Sequence, residues 1–274
     1  MKFGIVVAKN NKKAEDISAK VKKFLEGKGH ESLEEDLIRS DLIITLGGDG
    51  TLIHAACANL ELGVPVVGIN LGKLGFLTAC EADDWQKAIE DLISGKYFVS
   101  ERMTLEASIG QSSIVNRQST IFRAVNEVVI KGMYRVVDLE VTVKSKKFLE
   151  SSGDGVIIAT QTGSTAYSLS AGGPIVDPQL DCFVLTPVNA HGLPVPSVVL
   201  SPNDEIEIKV KEGENVSLII DGQEHRNIEE GNIVKVIKGH YRVKLIYFEE
   251  HHIIRALNAK FGFAFRRTQG KLDD

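Results

Sequence analysis

A run of glycines around one carboxylate is the part of this sequence best suited to chemistry. Gly47-Gly48-Asp49-Gly50-Thr51 follows an apolar run, residues 42–46, and precedes a helical pattern. Glycine lets a ligand approach the backbone closely, and the amino end of a helix offers N–H groups to phosphate. The carboxylate could act as a general base or hold a metal ion there. The run predicts a phosphoryl-transfer site, with an ordinary strand-to-helix turn as the alternative.

A second segment combines an apolar strand pattern with many hydroxyl side chains. Residues 156–159 run into Thr162-Gly163-Ser164-Thr165 and then into a short helical pattern. Ser164 or Thr165 could cap that helix, and Tyr167 could lie against a base or a ribose. The segment indicates a nucleotide pocket, and a capped surface helix with polar decoration is the alternative.

Asn126 and Glu127 interrupt the apolar pattern of a predicted strand over residues 121–130. Adjacent strand residues face opposite sides, so at least one of the two should point toward a core or a cleft. A buried carboxylate is costly without a partner, and the hydroxyl pair of a ribose would supply one. A bulge or a solvated edge is the alternative. Asp154-Gly155 and Asp221-Gly222, each taken alone, are more typical of turns.

The elements that position these residues change character near residue 98. Before it, strand patterns (3–8, 42–46, 64–69) alternate with helical ones (12–27, 33–39, 51–60 and 83–93, the last capped by Asp83). After it, short strands predominate, with turns at 212–215 and 238–239, a helix near 164–170 and a helical tail over 251–263. These strands are predicted over residues 103–109, 121–130, 136–143, 155–160, 182–186, 205–211, 216–220, 233–237 and 241–247. We predict an α/β N-terminal domain (parallel sheet, Rossmann-like) over 1–99 and an all-β, sandwich-like C-terminal domain over 100–249.

Composition narrows the class of protein. The net charge of -5 over 274 residues argues against general affinity for nucleic acid. The sequence has no apolar run of transmembrane length, and its first residues are typical of a strand rather than a signal peptide. The three cysteines are widely spaced and lack zinc-site spacing, so we expect reduced thiols. A cytoplasmic protein without membrane or nucleic-acid partners is the prediction.

Six segments together resemble the NAD kinase family. In the family's order they are residues 47–51, 70–77, 126–127, 154–155, 162–174 and 221–223. The glycine-aspartate motif alone also occurs in diacylglycerol and sphingosine kinases and in phosphofructokinases, whereas residues 162–174 are far more specific. The resemblance implies the same two domains, with the tail, residues 250–274, joining the first.

The activity that the resemblance implies is transfer of the γ-phosphate of ATP to the adenosine-ribose 2′-hydroxyl of NAD, giving NADP. Some members also accept inorganic polyphosphate. Mg²⁺ or another divalent ion would accompany ATP, and no metal ligand of the protein itself is implied. Family members are usually dimers or tetramers, so we expect a homodimer or homotetramer.

The resemblance also implies roles for single residues. Asp49 would accept the hydroxyl proton, and Gly50 would let the substrate approach. Asn126 and Glu127 would bind the adenosine, and Asp154 would lie near the nicotinamide half. The other implied residues are the phosphate loop of Gly47, Gly48, Gly50 and Thr51, a basic contact at Arg135, a distant contact at Gln223, and an adenosine pocket of Thr165, Ala166, Tyr167, Ser168, Leu169 and Ser170.

Two other functions fit part of this pattern. A lipid or sugar kinase would share the glycine-aspartate motif, but a lipid kinase should present an apolar acceptor pocket where residues 162–170 are rich in hydroxyls. A nucleotide-binding regulator without catalysis would not need the carboxylate of Asp49, which this sequence retains. Turnover of NAD separates the three.

Overall fold

The computed structural model describes residues 1–34, 37–72, 75–111, 120–192 and 195–262. The chain divides into two compact units. Unit 1 contains Met1–Ala55, Val64–Ser100 and the chain from Lys244 onward. Unit 2 contains Ala56–Gly63 and Glu101–Val243. Unit 1 is therefore assembled from segments that lie far apart in sequence.

Helices alternate with strands in the first hundred residues, and strands predominate afterwards. The α-helices are α1 (Lys12–Gly27), α2 (Asp49–Ala58), α3 (Trp85–Ile93), α4 (Tyr167–Ser170) and α5 (His252–Phe261). The strands are β1 (Lys2–Val7), β2 (Glu31–Leu33), β3 (Leu42–Leu46), β4 (Val66–Asn70), β5 (Cys80–Glu81), β6 (Phe98–Gln111), β7 (Ile121–Ala124), β8 (Glu127–Gly132), β9 (Val137–Val143), β10 (Lys146–Gly153), β11 (Gly155–Ala159), β12 (Phe183–Val188), β13 (Val198–Leu200), β14 (Ile206–Glu212), β15 (Val216–Ile220), β16 (Glu224–Ile228) and β17 (Asn232–Tyr247). In the ranges that the structure describes, no helix is both long and apolar enough to cross a membrane.

Unit 1 is built on a parallel sheet. β1 pairs in parallel with β2 and with β3, β3 with β4, and β4 with β5. The end of β17 adds a further parallel pair, between Leu245 and Val66. β3 and β4 are buried at every position, as expected for strands covered on both faces. The predicted α/β character of the N-terminal part is confirmed, and the glycine run directly follows β3.

The helices of unit 1 agree with the sequence in part. α1 has the predicted bounds, and the side chain of Asn11 caps it by accepting the N–H of Ala14 at 3.1 Å. α5 lies within the helical tail predicted over 251–263, of which only residue 263 lies outside the described ranges. α1 turns apolar side chains inward, as amphipathic surface helices do, whereas the residues that α5 buries are His252 and Ala256.

Two helix predictions in unit 1 are wrong. Of the helix predicted over residues 33–39, only Leu37–Arg39 form a single 3₁₀ turn, and residues 35 and 36 lie outside the described ranges. Asp83 does not cap α3, because Ala82–Asp84 form a 3₁₀ turn that runs directly into the helix. A single turn of three residues is too short to show a periodicity by which the sequence could distinguish it from the start of a helix.

Unit 2 is a sandwich of antiparallel strands. One sheet has the order β13-β12-β11-β8-β15-β16, and the other sheet carries β10, β9, β14 and the first part of β17, with β6 and β7 alongside. Alternate side chains of the two sheets meet in one core. The side chains of Val156 and Ile158 on β11 lie in that core. Those of Ile157 and Ala159 lie on the outer face of the sheet, which α4 covers. The predicted sandwich-like β domain is confirmed.

Two strand predictions in unit 2 need correction. The strand predicted over residues 121–130 is two strands, because β7 ends at Ala124 and β8 begins at Glu127. Lys238-Gly239, predicted as a turn, lies inside β17, where a Cβ on Gly239 would overlap Oγ1 of Thr104. The glycine therefore allows close approach of neighbouring strands and not a reversal of the chain. β10, β13 and β16 have no counterpart in the sequence prediction.

Candidate active site

Asp49 is the first residue of α2, two residues before the predicted start of that helix. The carbonyl of Gly48 accepts the N–H groups of Thr51 at 3.0 Å and Leu52 at 3.2 Å, so the helix winds up directly from the glycine run. Gly48 and Gly50 are exposed, and a Cβ on either would meet nothing within 4 Å. The amino end of α2 is thus open on both sides of Asp49.

Gly47 has a different structural role from Gly48 and Gly50. It is buried, and a Cβ there would overlap Oγ1 of Thr51. Its N–H donates to the carbonyl of Ile69 on β4 at 3.1 Å. Gly47 therefore lets β3 turn tightly into α2, and only the two exposed glycines leave room for a ligand.

The carboxylate of Asp49 is fixed by the segment that follows β4. It accepts the backbone N–H groups of Phe76 at 2.7 Å, Leu77 at 3.1 Å and Thr78 at 3.1 Å. A Cβ on Gly75 would overlap Oδ1 of Asp49, so only glycine allows this approach. A carboxylate has about four lone-pair sites, and three N–H bonds leave one of them for another donor.

α5 packs against the same segment. The rings of Phe76 and Phe261 lie 6.1 Å apart, and Nζ of Lys260 lies 4.7 Å from the centre of the Phe76 ring. Arg255 donates from Nη2 to the carbonyl of Ala79 at 3.1 Å. The residues that hold Asp49 are therefore supported by a helix from the far end of the chain. Lys73 and Leu74, which belong to the motif of residues 70–77, lie outside the described ranges.

In unit 2, Asn126 and Glu127 are buried at the break between β7 and β8, with 6% and 5% of their surfaces exposed. The side chain of Asp221, in the turn after β15, accepts the N–H groups of Val125, Asn126 and Glu127. Oδ1 of Asn126 and Oε2 of Glu127 are buried without a hydrogen-bond partner in the part of the chain that the structure describes. Such atoms call for an explanation, and a ligand that donates to both would provide one.

Burial raises the pKa of Glu127 to about 8, and the nearby charge of Asp221 adds to the rise, whereas a hydrogen bond from the backbone N–H of Tyr167 opposes it. Burial also raises the pKa of Asp221, against the effect of its three N–H partners. In the absence of a ligand, the carboxyl group of Glu127 is therefore mostly protonated at neutral pH.

Several hydroxyls of residues 160–170 bond to backbone carbonyls of the protein itself. Thr160 donates to the carbonyl of Val125 at 2.7 Å, Ser164 donates to that of Gln161 at 2.7 Å, and Thr165 donates to that of Thr162 at 3.3 Å. The prediction that Ser164 or Thr165 caps the helix is wrong. Residues 163–165 form a 3₁₀ turn, and α4 begins only at Tyr167. Oγ1 of Thr162 is the exception, since it is buried without a partner in the described structure.

The predicted adenosine-pocket residues divide into three groups. Ser168 is fully buried, and its hydroxyl lies 2.9 Å from that of Thr186. Ser170 is exposed at the end of α4. The remaining four, Thr165, Ala166, Tyr167 and Leu169, are partly exposed. Of these, Tyr167 bonds to Glu127 through its backbone N–H. Gly163 makes this packing possible, because a Cβ there would overlap the carbonyl oxygen of Asn126.

Arg135 and Asp154 line one cavity of about 720 Å³ in unit 2. Asp154 accepts the side-chain amide of Asn189 at 2.7 Å, and Arg135 lies 3.4 Å from a carboxylate oxygen of Glu214. This cavity lies at the other end of the β8–β11 pair from Glu127, four residues away in register, or about 13 Å. Two groups of polar residues are therefore spaced along one sheet.

The remaining predicted contact, Gln223, is exposed just after the Asp221-Gly222 turn, and its N–H donates to the carbonyl of Ile220 at 2.9 Å. Among the residues that the structure describes, no group of three His, Cys, Asp or Glu side chains is placed to hold a metal ion.

Sequence reasoning placed Asp221 and Gly75 inside matching motifs without giving either a role in the site, and it did not find Asn189. Each acts on residues far away in the chain, so no local pattern reveals it. Asp221 gave a signal, an Asp-Gly pair, but that signal is the same for any hairpin turn.

Comparison with known proteins agrees with this geometry. Residues 30–97 match the family model of the ATP-NAD kinase N-terminal domain, and residues 125–248 match that of the ATP-NAD kinase C-terminal domain. The NAD kinase of Clostridium botulinum (strain ATCC 19397 / Type A) is 38% identical over 256 residues, which cover 92% of this chain and 89% of the relative.

Two solved structures have the same fold. The yeast NADH kinase complexed with NADH has a TM-score of 0.86 at 23% identity, covering 100% of this chain and 90% of that one. An NAD kinase from Archaeoglobus fulgidus in complex with ATP has a TM-score of 0.76 at 24% identity, covering 94% and 97%.

Fold and site together define a two-domain kinase of the glycine-aspartate type, with a parallel α/β unit and an antiparallel sandwich. The chain belongs to the NAD kinase family, as its six motifs indicate, and it is an enzyme of that family.

Proposed function

We propose that the protein transfers the γ-phosphate of ATP to the 2′-hydroxyl of the adenosine ribose of NAD, and that Asp49 accepts the hydroxyl proton. The observation that carries this assignment is the setting of Asp49 itself. Three backbone N–H groups fix its carboxylate at the first turn of α2, and one lone-pair site remains for a substrate hydroxyl. A base held in this way loses little freedom when the hydroxyl arrives.

The nucleotide contacts follow from the buried polar atoms of unit 2. Oε2 of Glu127 would accept a ribose hydroxyl, and Oδ1 of Asn126 and Oγ1 of Thr162 would take further polar groups of the adenosine. Tyr167 and its partly exposed neighbours would cover that end. Arg135 and Asp154, about 13 Å along the sheet, would take the nicotinamide half, since a dinucleotide carries polar groups at both ends.

The donor would be ATP with Mg²⁺, bound as one substrate. The exposed Gly48 and Gly50 leave the amino end of α2 open to phosphate, and the helix dipole favours the negative charge there. Phosphoryl transfer depends mainly on positioning and charge stabilisation, which such a site supplies. The bound NADH and ATP of the two solved structures support these substrate classes.

Location and assembly complete the proposal. Cys57, Cys80 and Cys182 are free thiols, which suits the reducing cytoplasm. We place the enzyme there, acting as a homodimer or homotetramer without nucleic-acid or membrane partners.

The test replaces Asp49 by Asn and measures NADP formation from ATP, Mg²⁺ and NAD, with polyphosphate as an alternative donor. Loss of a general base lowers turnover by about 10²- to 10⁴-fold. We expect kcat to fall by that amount while calorimetry shows NAD still bound. Asp41→Asn is the matched control, because Asp41 is an exposed carboxylate of unit 1 that also accepts a backbone N–H, that of Lys2 at 2.7 Å.

Near-normal kcat in Asp49→Asn would remove Asp49 from the role of base. A wild-type protein that binds nucleotide without forming NADP from either donor would refute the proposed reaction as a whole.

A further inference from the structure

The turn between β15 and β16 directs a carboxylate into the body of unit 2. Asp221 and Gly222 have positive φ angles of 50° and 66°, as the two central residues of a type I′ hairpin turn do. The N–H of Asp221 donates to the carbonyl of Glu127 at 3.0 Å, which ties the turn to the start of β8. A residue that could serve only as a turn former therefore lies beside the buried pair of the nucleotide site.

The side chain of Asp221 binds three consecutive N–H groups. They are those of Val125 at 2.8 Å, Asn126 at 2.7 Å and Glu127 at 3.0 Å. These amides lie between the end of β7 and the start of β8, so the sheet does not supply all of them with hydrogen-bond partners. Buried amides require a partner, and hydrogen bonds to a carboxylate are about twice as strong as neutral ones.

The opposite side of the same tripeptide is held as well. Thr160 donates its N–H to the carbonyl of Asn126 at 2.8 Å and its hydroxyl to that of Val125 at 2.7 Å. The backbone of Val125-Asn126-Glu127 is thereby fixed from both sides. What it presents are the two buried and unpaired oxygens, Oδ1 of Asn126 and Oε2 of Glu127.

We propose that Asp221 is a positioning residue for the dinucleotide: by holding three backbone amides it fixes the directions in which Asn126 and Glu127 meet the adenosine of NAD. This rests on the proposed function of the same site. A purely structural Asp221 would secure the hairpin and affect stability alone, whereas a positioning Asp221 sets the affinity for NAD.

Asp221→Asn keeps the shape of the side chain but turns one acceptor oxygen into a donor that faces an N–H group. We expect KM and Kd for NAD to rise by about 10- to 100-fold, the worth of one charge-assisted hydrogen bond, with KM for ATP unchanged. The matched control is Asp204→Asn, a buried carboxylate of unit 2 that pairs with Lys144 at 2.7 Å. It should lower stability and leave KM for NAD as it is.

A double-mutant cycle gives the second readout. Because Asp221 acts through Asn126, adding Asp221→Asn to Asn126→Ala should raise KM for NAD far less than it does in the wild type. If Asp221→Asn does not fold, Gly222→Ala is the alternative variant. Residue 222 has a φ of 66°, which strains alanine, so the substitution shifts the turn but keeps the carboxylate of Asp221. It should raise KM for NAD several-fold.

A normal KM for NAD in the variants, with only thermal stability lowered, would overturn the positioning role, and so would fully additive effects in the cycle. Failure of the wild type to form NADP would instead refute the proposed reaction. Kd for NAD from calorimetry still tests the positioning role in that case, because it needs no turnover.

Discussion

At the scale of single residues, Glu127 connects the charge of the site to pH. Its pKa lies at about 8, because burial and the neighbouring Asp221 disfavour the ionised form. In the unfolded chain a glutamate titrates near its ordinary value, so the folded state holds an extra proton between about pH 4.5 and 8. The contribution of Glu127 to the free energy of unfolding is therefore fully present below about pH 4.5, falls as the pH rises to about 8, and stays low above that pH.

Glu127→Gln should remove this part of the pH dependence. The free energy of unfolding of the variant minus that of the wild type should grow from pH 4.5 to 8, by at most about 1.4 kcal/mol per pH unit. Urea titrations at several pH values measure it. The affinity of the wild type for NAD should rise toward pH 8, because ribose hydroxyls donate best to the ionised carboxylate, and that of the variant should stay flat.

Glu229→Gln is the control, since Glu229 is an exposed carboxylate of the same unit. Parallel pH profiles for Glu127→Gln and the wild type would contradict the raised pKa and its link to the ligand.

Residue types alone carried the sequence prediction as far as Asp49, Asn126 and Glu127. A lone carboxylate among glycines and a polar pair inside an apolar strand conflict with their surroundings, and such conflicts mark functional sites. Asp221 and Gly75 conflict with nothing locally. Their partners lie 94 to 96 residues away for Asp221, so only the folded chain reveals what they do.

At the scale of elements, β17 shows where local signals mislead. A lysine followed by glycine predicted a turn, yet the strand continues from Asn232 to Tyr247 because Gly239 lies against Thr104 of β6. Hydroxyl side chains mislead similarly in residues 160–170, where three of them donate to backbone carbonyls of the protein itself. In both cases the predicted fold class was confirmed. The error concerned the contacts that the individual residues make.

Gly239→Ala should destabilise unit 2 by about 1–3 kcal/mol, because the added methyl group overlaps Thr104 and part of its backbone lies close by. Gly110→Ala is the matched control, a glycine of β6 whose added Cβ would meet only the carbonyl oxygen of Ile233 at 4.0 Å. Urea unfolding of the two variants measures the difference. Equal stabilities would show that the Thr104 contact does not require glycine.

At the scale of the whole molecule, α5 links the end of the described chain to Asp49. Replacing Arg255 and Phe261 together by Ala removes the hydrogen bond to Ala79 and the ring contact with Phe76. We expect kcat to fall several-fold with KM for NAD nearly unchanged, because the amides of residues 76–78 then hold Asp49 less rigidly. Steady-state kinetics measures both.

Ile254→Ala on the same helix is the control, since 55% of Ile254 is exposed. A double variant with normal kcat would show that the segment holds Asp49 without help from α5.

The segmented make-up of unit 1 has a consequence for biosynthesis. During translation, residues 1–100 leave the ribosome before residues 101–243, and the part of β17 from Lys244 onward and all of α5 follow. A nascent chain can therefore bring Asp49 and Phe76 together before it gains the supporting contacts of Arg255 and Phe261, which follow once α5 has emerged. Chains that stop before α5 would therefore contain all six motifs and still lack these contacts.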